Sequence, residues 1–239
     1  MLRASFRIRV DAGELLDDPE VPLEDIRDTL HDQALVNRWL KGGEATLAHA
    51  LPMLQYCTST PVRVLDIGCG GADLSRRMVD EARRLGKRIE VTALDLSAKV
   101  LECAQELAID YPEITFVQAD ALDPPVPSGT FDIVMVSTLL HHLQPEQVVC
   151  LLRLAGESSR GHVVAADLVR SPWAYWGFWF FARLALLHPM SIHDGGLSIR
   201  RAYTPAELAD LAQQAGLANW TVHRHRLYRM ALVYTGTGR

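Results

Sequence analysis

The residues with the clearest chemical potential surround a glycine-rich turn in VLDIGCGGADLS, Val64 to Ser75. An apolar strand runs into the glycines and a helix is predicted directly after them, so a ligand can approach the backbone and the positive end of the helix dipole. A dinucleotide fingerprint would require Gly or Ala where the chain has Asp73. Asp66, two residues before Gly68, would repel a pyrophosphate but could bind an ammonium group, directly or through water. The turn therefore predicts a nucleoside-like ligand that carries a cation.

Two further carboxylates follow strands later in the chain. Asp95 closes the predicted strand in VTALD, where an acid can bond to ribose hydroxyls, and Asp120 closes FVQAD, where it could accept from an adenine amino group. Successive parallel strands end at one edge of a sheet, where open α/β sheets bind ligands. In the alternative interpretation, each Asp caps the helix that follows it. The occurrence of three such acids together with the glycine turn favours a ligand site over helix capping.

Two histidine-containing pairs are candidates for proton transfer. His141 and His142 follow the fourth predicted strand, and histidine is the commonest general base because it titrates near neutrality. Adjacent residues cannot both face one site in a regular element, so we expect one in the pocket, with His142 preferred, and one in a structural position. His193 and Asp194 stand in HPMSIHDGG, a predicted loop before the last helix, and His193 is the second candidate base. Alternatively, both members of the first pair are structural or shape the cofactor pocket, and Asp194 only makes a turn.

Large aromatic side chains are concentrated in WAYWGFWFFARLALL, Trp173 to Leu187. This stretch is shorter than the roughly 20 apolar residues of a membrane-spanning helix and contains Arg183. We therefore expect a buried or ligand-facing helix without stable membrane insertion, and loose membrane contact through its aromatics stays open. Trp173, Trp176 and Phe180 are candidates for the wall of a pocket that takes a flat or apolar ligand. Core packing or a dimer contact would explain the same rings equally well.

Strands that alternate with helices must position these residues. The pattern predicts such an alternation from position 62 to 168, then a helix opened by Thr204-Pro205 and two more strands. Alternation of this kind implies an α/β fold with a parallel sheet and helices on both faces. The first 60 residues form a predicted helical extension, with one helix between Pro22 and Gly42-Gly43 and another over Ala45 to Leu54.

Composition and charge exclude several classes of protein. The 239 residues are 49% apolar and 22% charged, which is typical of a globular chain and compatible with one α/β domain plus an extension. The net charge of −5 lacks the basic footprint of a nucleic-acid-binding protein. The four scattered cysteines favour a reducing compartment, and the N-terminus has no signal-peptide pattern. We expect a cytosolic protein that does not bind nucleic acid.

Four segments together resemble the class I S-adenosylmethionine-dependent methyltransferases: VLDIGCGGADLS, VTALDLS, VQADALDPPVP and FDIVMVSTLLHHL. The likeness covers roughly Val62 to Leu168 and is weaker in TPAELADLAQQAGL. It is greatest to the small-molecule branch, which includes ubiquinone and menaquinone biosynthesis enzymes and many natural-product enzymes. The resemblance implies a Rossmann-like, seven-stranded, mostly parallel sheet whose last strand is antiparallel. It also implies S-adenosylmethionine as donor and S-adenosylhomocysteine as product.

The resemblance further implies which residues bind the cofactor. Arg38 and Trp39 belong to an N-terminal helix of the kind that often covers the cofactor, although a surface position is as good an explanation. The chain departs from the family pattern at Ala72, where a third glycine is common, and Gly71 would relax the same turn. The matching positions are Asp66, Gly68, Cys69 and Gly70 at the methionine part, Asp95 at the ribose, Leu96, Asp120 and Ala121 at the adenine, and Ser137 where the backbone passes the cofactor.

Motifs that the chain lacks narrow the acceptor. It has STLLHH where base- or amide-methylating relatives carry NPPY or DPPY. It also lacks the carboxylate near Ser137 of the magnesium-dependent catechol type and the paired glutamates of the arginine-methylating type. We therefore predict O-methylation of a phenolic, quinol or polyketide-like small molecule without a metal. The alternatives are C-methylation, or a family member that binds the cofactor but acts as a partner protein.

The resemblance also divides the chain. We expect residues 1–60 to form a helical cap and residues 61–239 to form the methyltransferase domain, with a lid insertion at about 170–203 over the acceptor. Trp173, Trp176, Phe180, His193 and Asp194 would then bind the acceptor. Both a monomer and a homodimer are compatible with the sequence.

Overall fold

A seven-stranded sheet forms the centre of the molecule, for which a computed structural model describes residues 6–18 and 20–236. The strands are β1 (Val62–Ile67), β2 (Ile89–Asp95), β3 (Ile114–Gln118), β4 (Phe131–Ser137), β5 (Ser159–Leu168), β6 (Trp220–His225) and β7 (Arg229–Thr235). They lie in the order β3-β2-β1-β4-β5-β7-β6. All pairings are parallel except those that β7 makes with β5 and β6. The predicted Rossmann-like α/β sheet with an antiparallel last strand is confirmed.

The central strands are apolar because helices cover both faces of the sheet. β4 is buried at every position. Along β1, Val62 and Val64 join the core on one face, whereas Leu65 and Ile67 join the core on the other. This alternation directs Asp66, between Leu65 and Ile67, to the first of these faces.

Eight helices surround the sheet in the described part of the chain. They are α1 (Leu23–Trp39), α2 (Glu44–Tyr56), α3 (Asp73–Arg84), α4 (Ala98–Leu107), α5 (Pro145–Ser158), α6 (Pro172–Leu184), α7 (Pro189–Arg201) and α8 (Pro205–Gln214). On one face α2, α3 and α4 bury Leu54, Met78 and Leu101 against the sheet. On the other face α5 and α8 bury Leu151 and Leu208.

The N-terminal extension contributes to two different parts of the molecule. α2 is part of the layer that covers the sheet, because its Leu47, Ala50 and Leu54 share a core with β1 and β4. Only α1 and residues 6–18 lie near the carboxyl edge, where they contact α7. The predicted division into a cap and a domain with a lid therefore stays a prediction.

The segment HPMSIHDGG is helical, which corrects the predicted loop. Pro189 is the first residue of α7, a position that suits proline because its missing N–H would be unpaired there. A Cβ built on Gly195 would lie 2.2 Å from Cζ of Phe178, and one on Gly196 would lie 3.3 Å from Tyr175. These glycines permit close packing of α6 against α7 instead of a turn.

The aromatic segment forms α6 and the turn after it. Ser171 caps the helix by accepting a hydrogen bond from the Trp173 N–H at 3.3 Å, and Pro172 occupies its first position. Trp176 and Phe180 are 45% and 68% exposed on its outer side. Among the described residues, none of the helices combines the length and apolar character needed to cross a membrane.

Candidate active site

Left-handed backbone builds the glycine turn after β1. Gly68, Gly70 and Ala72 have φ of 72°, 51° and 55°. The N–H groups of Gly68 and Cys69 donate to the carbonyl of the penultimate residue of β2 at 2.8 and 2.9 Å. Glycine adopts this backbone without steric cost, whereas alanine does not. Ala72 itself takes the left-handed conformation, so the expectation that Gly71 relaxes the turn is wrong.

Asp66 lies beneath the turn and not on the open surface of the crevice. It is 1% exposed, and its Oδ2 accepts a hydrogen bond from Oγ of Ser75 at 2.6 Å. Burial raises the pKa of Asp66 to about 7, and the carboxylates of Asp73 and Asp95 add to this shift, while Ser75 opposes it. A cation above the turn would favour the ionised form. Contact with an ammonium group stays a prediction.

Asp95 reaches the crevice from the end of β2. Its carboxylate accepts hydrogen bonds from the N–H groups of Gly70 at 3.0 Å and Ser97 at 3.1 Å. Burial raises the pKa of Asp95, although these backbone donors and the nearby His142 act against the shift. Leu96 is 66% exposed beside it and offers the apolar surface that the predicted adenine contact requires.

The three acids at the carboxyl edge do not cap helices. α3 begins after Ala72, and α4 begins after Ser97, whose hydroxyl accepts from the Val100 N–H at 3.3 Å. No helix lies in residues 119–130 after β3, where the exposed Asp120 accepts from the Leu122 N–H at 2.8 Å. The capping explanation of Asp66, Asp95 and Asp120 therefore does not apply.

Other predicted cofactor residues lie around the same edge. Cys69 is buried within the turn, and burial raises the pKa of its thiol. Ala121 is half-buried after β3. Ser137 is buried at the end of β4, where its Oγ accepts a hydrogen bond from the Thr46 hydroxyl at 2.9 Å. The structure thus brings the turn and the ends of β1, β2, β3 and β4 to one edge.

The end of α1 approaches this edge through a residue that the sequence analysis missed. Asn37 donates a hydrogen bond from Nδ2 to the Asp73 carboxylate at 3.0 Å, at the start of α3. Trp39 is instead 65% exposed, and the side chain of Arg38 lies outside the described residues. A contact of either residue with the cofactor stays a prediction.

A cavity of about 310 Å³ adjoins the crevice and is bordered by α1, α6 and α7. Helical spacing places Gln33 and Val36 of α1, together with Leu40 directly after the helix, along one wall. Phe178 and Leu187 line the cavity from α6 and the turn after it. About half of the lining residues are polar or charged, so the cavity combines apolar surface with groups that can fix the orientation of a small molecule.

Only part of the predicted acceptor set faces this cavity. Trp173 and Asp194 line it, whereas Trp176, Phe180 and His193 do not. Because α6 is helical, residues 173, 174, 177 and 178 share the cavity face and the other rings point elsewhere. The side chain of His193 is 54% exposed. These three residues therefore do not line this cavity, and a contact of any of them with the acceptor stays a prediction.

Asp194 does not make a turn but anchors the N-terminal segment, residues 6–18. Its two carboxylate oxygens accept hydrogen bonds from the N–H groups of Leu15 and Leu16, each at 2.9 Å. Arg9 anchors the same segment from the other side by donating to the carbonyls of His141 at 2.6 Å and Leu143 at 2.7 Å. The segment is therefore tied across the cavity.

His141 is held in a buried ion pair. It lies in a short 3-10 helix, Leu140–His142. The backbone N–H of His141 donates to Oδ2 of Asp167 at 2.9 Å, and its ring Nδ1 lies 2.7 Å from Oδ1 of the same carboxylate. Burial opposes the charged imidazolium, but Asp167 and Glu14 together outweigh it and raise the pKa of His141 to about 9. His141 is therefore protonated near neutral pH and suits a structural position better than that of a base.

His142 is the more open of the two histidines. Its side chain is 23% exposed and lines the cavity. Its Nε2 lies 3.6 Å from Oε2 of Glu14. The neighbouring histidines thus occupy different environments, and a base function of His142 stays a prediction.

Glu14 is a site residue that the sequence analysis missed. Its carboxylate is buried in the cavity wall, 3.5 Å from Nε2 of His141, and accepts a hydrogen bond from Oγ of Ser198 at 2.7 Å. Burial alone would raise the pKa of Glu14, but the two histidines and Ser198 lower it, so the group is ionised. Glu14 lies 184 positions before Ser198, and no local motif marks it.

The ligand atoms of Glu14, His141 and His142 lie within 4.8 Å of one another, a spacing that a metal ion could use. Metal binding requires a neutral imidazole, whereas the pKa of His141 lies at about 9 because Asp167 and Glu14 outweigh its burial. The guanidinium of Arg201 also lies 3.7 Å from Glu14. Asp167 and Arg201 therefore favour proton transfer over metal binding at this cluster. Metal independence remains our prediction.

The sheet order, the glycine turn and the acids at its carboxyl edge define a Rossmann-like nucleoside-binding fold. Comparison with known proteins identifies the class more closely. The profile of a methyltransferase domain matches residues 64–168. A SAM-dependent methyltransferase structure from Aquifex aeolicus superposes with a TM-score of 0.60 at 13% identity, over 90% of this chain and 98% of that one.

Two curated relatives carry the assignment to a family. An uncharacterized methyltransferase of Synechocystis is 30% identical over 78% of this chain and 79% of its own length. A ubiquinone biosynthesis O-methyltransferase of Xanthomonas euvesicatoria is 31% identical over 77% of each chain. The protein belongs to the class I S-adenosylmethionine-dependent methyltransferases, and S-adenosylmethionine is its cofactor.

Proposed function

We propose that this enzyme methylates a hydroxyl oxygen of a small aromatic molecule such as a phenol, a quinol or a polyketide-like ring. The observation that carries the proposal is the position of His142. It lines the cavity and lies close enough to Asp95 to affect that carboxylate electrostatically. A histidine between the cofactor crevice and an acceptor cavity is suited to remove a hydroxyl proton.

The residues around the turn fit the cofactor. Gly70 has open space above its Cα, where the nearest atom to an added Cβ would be Oε1 of Gln33 at 3.9 Å. Asp66 offers a buried negative charge for an ammonium group, and Asp95 offers a carboxylate for ribose hydroxyls. Leu96, Asp120 and Ala121 would hold the adenine. Ser137 lies where the backbone would pass the cofactor. When bound, the cofactor supplies a methyl group activated on a sulfonium.

The chain itself must orient the acceptor and take up its proton. The apolar part of the cavity wall would align the ring, which can supply several kcal/mol of the rate enhancement. His142 would accept the hydroxyl proton at Nε2. Glu14, 3.6 Å from that atom, would stabilise the imidazolium that forms, as a buried carboxylate does beside other catalytic histidines.

The relatives support oxygen as the methylated atom. The Xanthomonas protein is named as a ubiquinone biosynthesis O-methyltransferase. C-methylation and a cofactor-binding partner protein are the alternatives. We further propose a cytosolic, metal-independent enzyme that acts on a natural-product-like acceptor as a monomer or homodimer and does not bind nucleic acid.

Turnover with a panel of phenols and quinols tests the proposal. We expect His142→Ala to lower kcat by about 10²–10⁴-fold because the base is lost, with the affinity for S-adenosylhomocysteine unchanged. His31→Ala is the matched control and should keep kcat within about twofold, since His31 is exposed on α1 and does not line the cavity.

The possible results separate the alternatives. An oxygen-linked methyl group in the product supports the proposal, whereas a carbon-linked one would establish C-methylation. Calorimetric binding of S-adenosylhomocysteine without turnover of any acceptor would favour the partner protein. Full activity of His142→Ala would show that His142 is not the base.

A further inference from the structure

Arg229 is a buried cation in the acceptor cavity that the proposed mechanism does not use. It is the first residue of β7, it is 7% exposed, and it lines the cavity beside Leu227 and Tyr228. Its Nε has no hydrogen-bond partner. Within the described part of the chain, no carboxylate forms an ion pair with it.

The carboxylate next to Arg229, that of Asp167, already accepts hydrogen bonds from other groups. Asp167 directs its Oδ1 and Oδ2 to His141 at 2.7 and 2.9 Å, and Oδ1 also accepts from the Leu168 N–H at 2.6 Å. Burial lowers the pKa of Arg229 to about 10, and Asp167 offsets this only in part. The guanidinium therefore stays charged at neutral pH, and a buried charge without a partner is costly.

A second unpartnered polar atom lies on the same cavity. Oγ of Ser191, in α7, is buried and has no hydrogen-bond partner. Ser191 also lines the cavity that Arg229 lines. Buried polar groups are hydrogen-bonded in most proteins, so two such atoms around one cavity indicate a polar ligand.

We propose that Arg229 binds a second oxygen of the acceptor, a carbonyl or carboxylate oxygen distinct from the hydroxyl that is methylated. The inference rests on the proposed function and names its substrate class: hydroxylated rings that also bear an oxo or carboxylate group. A guanidinium presents planar N–H donors that match such oxygens, and its hydrogen bonds to charged acceptors are the stronger ones. Ser191 would donate a further hydrogen bond from its hydroxyl.

Matched acceptor pairs test this inference. Phenol is compared with hydroxybenzoate and with hydroxyacetophenone, which separate a carboxylate from a neutral carbonyl. For at least one of the two we expect kcat/KM about 10-fold or more above that for phenol, because hydrogen bonds to a charged group are stronger than those between neutral groups. Arg229→Gln should abolish this preference by raising KM at nearly constant kcat, and Arg229→Lys should restore part of it.

Arg226→Gln is the matched control, because Arg226 is an exposed arginine close to Arg229. It should retain the preference. Arg229→Gln should unfold at the same temperature as the wild type or higher, because it removes a buried unpaired charge. Ser191→Ala should weaken the preference by a smaller factor and provides a second test if Arg229→Gln does not fold.

The results distinguish this inference from the proposed function. If the wild-type enzyme methylates phenols without any preference for an added oxygen, the Arg229 inference is wrong and the proposed function stands. An Arg229→Gln variant that keeps the preference also overturns it. If the wild type methylates neither member of any pair, the proposed function fails and the Arg229 inference fails with it.

Discussion

The charged side chains of the site differ in how their burial is compensated. His141 has two carboxylates beside it and becomes more basic. Asp66 has only a hydroxyl partner and becomes a weaker acid. Arg229 has neither a hydrogen bond at Nε nor an ion pair among the described residues. Buried charges that lack an ion-pair partner near a binding site are the groups that a ligand can satisfy. Asp66, beneath the cofactor turn, and Arg229, at the cavity, are therefore the residues where binding should have the largest electrostatic effect.

The pKa of Asp66 predicts that cofactor binding depends on pH. Burial raises that pKa to about 7, and a ligand ammonium group binds the ionised carboxylate better. Affinity for S-adenosylhomocysteine should therefore rise by roughly tenfold from about pH 5.5 to about pH 7, as the carboxylate ionises. Calorimetry across this range measures the effect.

Asp66→Asn should bind more weakly and without this pH dependence. The control is Glu90→Gln, because the side chain of Glu90 is 60% exposed on β2. It should behave as the wild type does. An unchanged pH profile in Asp66→Asn would show that another group governs the affinity.

Among the elements, the acceptor cavity depends on segments outside the sheet. Residues 6–18 contribute Glu14 and are tied down by Asp194 and Arg9. α6 and α7 form two of the walls and pack closely at Gly195. The sheet supplies the cofactor crevice, whereas these added segments determine the shape of the cavity. Substitutions in them should therefore affect the acceptor more than the cofactor.

Gly195→Ala should destabilise the α6–α7 pair. The new methyl group would meet Cζ of Phe178 at 2.2 Å, and overpacking of this kind costs about 1–3 kcal/mol. The melting temperature should fall by roughly 2–10 °C for a chain of this size. The acceptor KM should rise, because Phe178 lines the cavity.

Gly177→Ala is the matched control in α6, where an added Cβ meets no atom within 4 Å. An exposed helical alanine is about 0.5–1 kcal/mol more favourable than glycine. Its melting temperature should therefore be unchanged or higher. Equal stabilities of the two variants would contradict the close packing of α6 and α7.

For the molecule as a whole, stability and the site share the same buried ion pairs. His141 and Asp167 link the end of β4 to β5, and Arg9 ties the N-terminal segment to the same region. Loss of charge at His141 should therefore weaken the whole fold as well as the cavity.

The free energy of unfolding should decrease as the pH rises from about 7 to about 9. The pKa of His141 is about 9 in the folded protein and near 6.5 in the unfolded chain, so the folded state holds more protons in this window. The ion pair is fully present below about 6.5 and is lost above about 9, with a slope of at most about 1.4 kcal/mol per pH unit. Chemical denaturation at several pH values measures it.

His141→Gln removes the titrating group and should be less stable at neutral pH but have a flatter profile between about pH 7 and about pH 9. Asp66, which titrates at about 7 because of its burial, acts mainly below this window and is unchanged in the variant. A variant that keeps the wild-type slope would place the titration elsewhere.

The cofactor half of the protein could be predicted from the order of motifs along the chain. The glycine turn and the three acids follow successive strands, and the carboxyl ends of parallel strands necessarily share one edge. The strands that precede these residues were predicted in the segments that form β1, β2 and β3, because buried parallel strands are short apolar runs. The sheet and its cofactor are confirmed, while the contacts of Asp66, Asp95 and Asp120 with that cofactor remain predictions.

The acceptor half could not be predicted in this way, because it depends on contacts between distant parts of the chain. Glu14 and Arg229 come from opposite ends of the chain and meet at one cavity, and nothing in their local sequence marks them. HPMSIHDGG looks like a loop because of its glycines, yet it is helical because those glycines face Phe178 and Tyr175. The local sequence pattern indicates the conformation that a segment prefers in the absence of tertiary contacts. Long-range packing decides which side chains share a cavity and which charges are left without a partner.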